Sequence, residues 1–156
     1  MGNKRDQIAM TPAEIAEFLE AERTITVATI NADGTPHLTA MWFGVNEAGD
    51  VEFWTYRKSQ KIVNLRRDPR LTVMAESGDS YDQLRGVSIS GRAAIIEDHE
   101  QVIEFGMRVN DRYWGTSPDP DAMREAVEVI GAKRVLVVVR PEKVASWDHR
   151  KLGGGY

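Results

Sequence analysis

Hydrophobic positions along the chain change period several times, and each change predicts a boundary. Thr11-Pro12-Ala13-Glu14 is a capping box with proline at the first helical position. Ile15, Phe18 and Leu19 follow at helical spacing, which predicts a short amphipathic helix over residues 12–22. From Thr24 to Ile30 the residues become β-branched, and Asn31-Ala32-Asp33-Gly34 supplies turn chemistry. Pro36–Val45 and Val51–Tyr56 read as two further strands, separated by the turn Glu47-Ala48-Gly49-Asp50, so residues 24–56 are expected to form an antiparallel meander. Within the second strand His37, Thr39, Met41 and Phe43 share one face, and Leu38, Ala40 and Trp42 the other. Neither face is cleanly polar, so both are expected to be covered, one by a core and the other by a partner subunit or a flat ligand.

The remaining pattern alternates strands and helices irregularly. A short helix over 60–67 is stopped by Asp68-Pro69, and Arg70–Glu76 reads as a fourth strand. After a polar loop over Ser77–Asp82, Leu84–Ile96 is a long fifth strand in which Gly86 and Gly91 mark bulges or close backbone contacts. Asp98 to about Trp114 and a segment from Met123 to Gly131 read as helices around a Pro/Ser/Asp loop. Val135-Leu136-Val137-Val138-Val139 is the strongest core signal, a strand expected to break at Pro141 and resume over Val144–Trp147. Helical connections this few argue against a doubly wound parallel sheet and for a small closed or split barrel of about six strands, mainly β with inserted helices.

Composition narrows the function classes. At 156 residues the chain is read as one domain spanning 1–156, with residues 1–10 and the glycine-rich tail 152–156 expected to be flexible. A net charge of −4 argues against general nucleic-acid binding, and the absence of cysteine excludes disulfides, thiolate metal sites and a cysteine nucleophile. No apolar run approaches membrane-spanning length, and the N-terminal residues lack a signal-peptide core, so a soluble cytoplasmic protein is expected.

The chemistry concentrates where the third strand meets the short helix. Ser59 stands at the N-cap position, Thr55 adds a hydroxyl at the strand end, and Lys61 falls in the first helical turn. A helix N-terminus carries partial positive charge, so a lysine there is electrostatically misplaced unless an anion sits beside it. A bound phosphate and a solvated basic turn both satisfy the pattern. Arg66 and Arg67 need no such ligand, because cations are favourable at a helix C-terminus. His37, His99 and His149 show no metal-ligand spacing, so no metal site is expected. Gly86-Val87-Ser88-Ile89-Ser90-Gly91 lacks the strand-to-helix elbow of a nucleophilic serine, and no catalytic constellation is identified. Trp42, Trp54, Trp114 and Trp147 are either core and interface material or walls for a planar ligand.

Trp54-Thr55 followed by Ser59-Gln60-Lys61 resembles the phosphate grip of the flavin-binding split-barrel superfamily, which includes pyridoxamine-phosphate oxidase. The stretch Asn64-Leu65-Arg66-Arg67-Asp68-Pro69-Arg70 and the ending Trp147-Asp148-His149-Arg150-Lys151-Leu152 look closer to the flavin/deazaflavin oxidoreductases of actinobacteria, and the resemblance runs from Thr24 to about Lys151. It implies a six-stranded antiparallel split β-barrel of the pyridoxamine-phosphate-oxidase type. It further implies that Thr55, Ser59, Gln60 and Lys61, with Arg57 and Lys58, hold a cofactor phosphate, and that Thr39-Ala40-Met41-Trp42 runs along the cofactor ring. A homodimer with the cofactor at the subunit interface is implied, with Trp147 approaching the site, including that of the partner chain. Gln60 stands where the oxidases have arginine, and their C-terminal Arg-Leu-x-Pro pattern is absent, so pyridoxamine phosphate oxidation is not expected. The expected activity is hydride transfer from reduced coenzyme F420 to a conjugated or quinone-like small molecule, with product protonated from solvent, Tyr81 or His149. FMN in place of F420, or non-catalytic carriage of a flavin, deazaflavin or tetrapyrrole, are the alternatives.

Overall fold

In the computed structural model, which describes residues 3–153, the chain builds one curled antiparallel sheet, a half-barrel with helices packed around it. Met1, Gly2 and the tail from Gly154 onward lie outside the described residues. Two N-terminal helices, α1 (Lys4–Ile8) and α2 (Pro12–Ala21), precede β1 (Ile25–Ile30), β2 (Pro36–Met41), β3 (Gly44–Val45) and β4 (Val51–Tyr56). Helix α3 (Gln60–Arg67) leads to β5 (Arg70–Ser77) and β6 (Arg85–Ile96). Helices α4 (His99–Trp114) and α5 (Pro120–Gly131) then precede β7 (Arg134–Asp148), and the strand order is β2-β1-β5-β6-β7-β4-β3.

The local signals at helix ends operate as the residues dictate. Thr11 accepts from the Glu14 amide while Glu14 accepts from the Thr11 amide, and Asp98 accepts from the Gln101 amide at 3.0 Å. The N-terminal segment expected to be flexible carries α1, and Met10 beyond it is buried, its amide donating to Ser146 Oγ at 2.9 Å.

The meander expected over residues 24–56 does not form. β1 and β2 pair, but the chain breaks at Trp42-Phe43, β3 is only two residues long, and β4 pairs with β7 instead of β2. The break is stabilised by Tyr113, whose hydroxyl accepts from the Phe43 amide at 3.0 Å and donates to the Arg23 carbonyl at 2.6 Å. Backbone groups orphaned by the lost strand partner are thus satisfied by a side chain. The sheet therefore has seven strands rather than six.

β7 is also longer than its composition suggests. Pro141 does not interrupt it, because it sits where the β6–β7 register shifts between Ser90 and Gly91, a bulge that needs no amide donor. The apolar run Val135–Val139 is buried on both faces. Val135, Val137 and Val139 join Val27, Phe53, Val73 and Val87 inside the half-barrel, while Leu136 and Val138 pack outward with Val102, Phe105 and Val109 of α4.

Gly91 is the tightest point of this arrangement, since a Cβ there would lie 2.0 Å from the Arg140 carbonyl oxygen. Backbone cannot yield as a flexible side chain would. Gly91→Ala is expected to destabilise the fold by about 1–3 kcal/mol in chemical denaturation; an unchanged midpoint would refute the bulge geometry.

Candidate functional site

Strand β4 and helix α3 are joined by a tight turn, the Ser59 amide donating to the Tyr56 carbonyl at 2.9 Å. α3 is fixed from below by Asn64, which is fully buried. Its Nδ2 donates to Thr29 Oγ1 and Asn31 Oδ1, each at 3.0 Å, and its Oδ1 accepts from Gln60 Nε2 at 2.9 Å. Ile62 and Leu65 bury into the core beside it, and Arg67 donates to the Ile30 carbonyl. The first turn of α3 is therefore rigidly placed against the ends of β1 and β4.

Lys61 occupies that first turn and is buried, with only 8 % of its surface exposed. Its Nζ donates to Thr55 Oγ1 at 3.2 Å, and Thr55 Oγ1 donates onward to Ser59 Oγ at 3.4 Å. Ser59 holds the N-cap position but makes no capping hydrogen bond, and the first turn carries no acidic residue. Removal from water depresses the Lys61 pKa, and the positive charge of Arg134 lowers it further. Among the described residues neither Lys61 nor Arg134 takes part in an ion pair.

Other cations gather nearby. Arg57 donates through Nη2 to the Ala132 carbonyl and through its amide to the Lys133 carbonyl, both at 3.0 Å, while Lys58 is exposed. Arg66 and Arg70, by contrast, are neutralised by Glu97 and Asp68. The Arg70 guanidinium holds the Asp68 carboxyl down to about 2.

Arg134 was not singled out by the sequence. It stands opposite Tyr56 in the β4–β7 register, with its guanidinium 4.8 Å from the Trp54 ring centre and 4.6 Å from that of Tyr56. Its Nε–H is buried without a hydrogen-bond partner, as are Asn110 Nδ2 and Thr39 Oγ1. Arg134 and Asn110 border a cavity of about 370 Å³ between β2, β4 and the α4–α5 pair, which Ala40, Met41 and Trp42 also line. Asn110 carried a signal: it interrupts the apolar stripe Val102–Phe105–Val109 of an amphipathic helix. Arg134 had none, because its neighbours are set by long-range strand pairing.

The structure thus brings Thr55, Ser59 and Lys61 into one hydrogen-bonded cluster, with Gln60, Arg57 and Lys58 around it, and sets Ala40, Met41 and Trp42 along the neighbouring cavity. Trp42 stacks on Tyr113 at 4.4 Å between ring centres and meets Trp114 edge-on at 4.9 Å. Trp147 is not part of this group within one protomer. It pairs with Gly86 at the opposite end of β7 from Arg134, beside Tyr81 and His149, whose rings meet at 4.6 Å. No group of acidic or histidine side chains suited to a metal ion occurs among the described residues, and no described helix is long and apolar enough to cross a membrane.

A family model described as pyridoxamine 5'-phosphate oxidase matches residues 11–148. A curated relative from Mycobacterium tuberculosis (strain CDC 1551 / Oshkosh), named F420H(2)-dependent biliverdin reductase, is 31% identical over 113 residues, covering 72% of this chain and 77% of the relative. Among solved structures, a conserved hypothetical protein, Rv2991 of M. tuberculosis, superposes with a TM-score of 0.91 at 46% identity over 99% of this chain and 95% of its own. A structure named F420 reductase gives a TM-score of 0.63 at 29% identity over 83% of this chain and 94% of that one. With its half-barrel, its Trp54-Thr55 strand end and its Ser59–Lys61 turn, the chain belongs to the pyridoxamine 5'-phosphate oxidase family.

Proposed function

We propose that the protein is an oxidoreductase that binds coenzyme F420 and reduces an unsaturated small molecule. The observation that carries this reading is the buried, unpaired ammonium of Lys61 at the N-terminus of α3, a place that is electrostatically tolerable when a phosphate oxygen sits against it. Ser59 Oγ, not engaged in capping, and the hydroxyl of Thr55 add hydrogen-bonding capacity at the same point, and Arg57, Lys58 and Gln60 surround it. The names of two relatives support F420 as the phosphate-bearing group.

When bound, a reduced deazaflavin supplies the hydride, and the protein's task is binding, orientation and exclusion of water. Thr39, Ala40 and Met41 of β2, with Trp42 just beyond it, would run along the ring, the buried, unpartnered Thr39 Oγ1 being available to hydrogen-bond it. Leu38 of β2 and Trp42 just beyond it are 61% and 45% exposed, and Trp114 beside Trp42 is 69% exposed. Apolar surface of this kind supports a homodimer with the cofactor at the subunit interface and the partner's Trp147 approaching the site.

Two outcomes test the assignment. Lys61→Met should weaken F420 binding, followed by deazaflavin fluorescence, by about 1.5–3 kcal/mol. The same variant should raise the thermal midpoint of the ligand-free protein, because an uncompensated buried charge is removed. Unchanged affinity together with a lowered midpoint would mean that the amine is purely structural.

The second outcome concerns pH. The folded pKa of Lys61 lies below its unfolded value, so the ligand-free protein bears the full burial cost below the folded pKa and is relieved of it as pH rises. A phosphate requires the charged form. F420 affinity should therefore fall as pH climbs through the depressed pKa, an alkaline loss that Lys61→Met should lack; parallel profiles in the two proteins would contradict the assignment.

A further inference from the structure

The cavity beside β2 contains more polar chemistry than its walls need. Its lining is mostly apolar, with the indoles of Trp42, Trp54 and Trp114 among the surfaces. Asn110, only 8% exposed, and Arg134 nevertheless border it, and each holds a buried nitrogen, Nδ2 and Nε, that has no hydrogen-bond partner. A buried donor left unpaired is destabilising, and two at one cavity are most simply reconciled by a ligand that accepts from both.

The charge of Arg134 defines that ligand more closely. No carboxylate among the described residues pairs with it, and Lys61 adds positive potential from the α3 side. A neutral carbonyl would satisfy the hydrogen bonds but leave the guanidinium uncompensated, whereas a carboxylate does both. The guanidinium is also pre-organised, lying between the rings of Trp54 and Tyr56. Gly106 makes this possible, since a Cβ there would come within 2.7 Å of the Trp54 ring and 2.6 Å of Val127. At about 370 Å³ the cavity is at the small end of the range for small-molecule sites, which suits two or three fused rings rather than an extended chain.

We infer that this cavity is the acceptor site, taking a planar conjugated molecule that carries a carboxylate, with Arg134 Nε–H and Asn110 Nδ2–H holding the carboxylate and the indole surfaces holding the rings. The identification of the occupant as the hydride acceptor rests on the F420 reading, because Ala40, Met41 and Trp42, which line this cavity, also belong to the proposed path of the cofactor ring. The anion-selective cavity itself does not depend on that reading.

The test uses 2-naphthoate as probe and its uncharged methyl ester as control, titrated calorimetrically into the full chain without cofactor, with tryptophan indole N–H resonances followed by NMR. The acid should bind at least about tenfold more tightly than the ester, the step expected for a charge-assisted pair. Arg134→Gln should abolish that preference and Asn110→Leu should reduce it. Ile130→Trp, at a half-exposed position of the cavity lining, should block both probes without disturbing the core. Lys61→Met should retain the preference for the acid.

Equal affinities for acid and ester in the unmodified protein, no binding of either, or binding indifferent to both Arg134→Gln and Ile130→Trp would overturn the site. Displacement of naphthoate by F420 would show that the cavity belongs to the cofactor and overturn the acceptor assignment. If F420 does not bind while the naphthoate pattern holds, the cofactor reading falls and the carboxylate-selective cavity stands.

Discussion

One lysine ammonium, withdrawn from water at the positive end of a helix and faced by no carboxylate among the described residues, is the constraint around which the site is organised. Burial, the helix dipole and the charge of Arg134 all act against the protonated form of Lys61. Among the described residues only the hydroxyl of Thr55 engages it directly. A protein that kept such a group for stability alone would place an acid beside it, as this one does for Arg66, Arg70 and Arg150. The unpaired state is therefore best understood as half of an interaction whose other half is a ligand anion.

The fold supplies the rigidity that this arrangement needs. Asn64 ties α3 to the ends of β1 and its following turn, so the lysine cannot escape by a shift of the helix. Pairing of β4 with β7 brings Arg134 opposite Tyr56 and stacks it against Trp54, on the face of the sheet opposite to Thr55. Close packing of α4 and α5 at Gly106 lets that stack form at the cavity wall. Stability is given up locally at the unpaired donors, which is where function commonly strains a fold.

Much of this was legible in the sequence because it is local. The capping box at Thr11–Glu14, the Asp98 cap, the short helix over 60–67 and the Thr55/Ser59/Lys61 spacing all depend on neighbours within one or two turns. The glycines at 86 and 91 announced close approaches, met by the Trp147 ring and the Arg140 carbonyl. What escaped was non-local. Strand proximity suggested a meander, but the two-sided apolar run of Val135–Val139 offers β4 a better partner than β2 does, and that choice alone decides where Arg134 lies. Pro141 reads as a break in sequence because a bulge that tolerates it is specified by Gly91, fifty residues upstream in chain order. α1 lacked a long apolar period, and its order comes with the burial of Met10 beyond it.

The most direct measurement is the titration of the Lys61 side chain itself, by heteronuclear NMR of selectively labelled lysine, in the ligand-free protein and with F420 added. The account predicts a pKa below the ordinary lysine value without ligand and a rise on binding, as the phosphate compensates the buried charge. An ordinary lysine pKa that F420 leaves unmoved would contradict it.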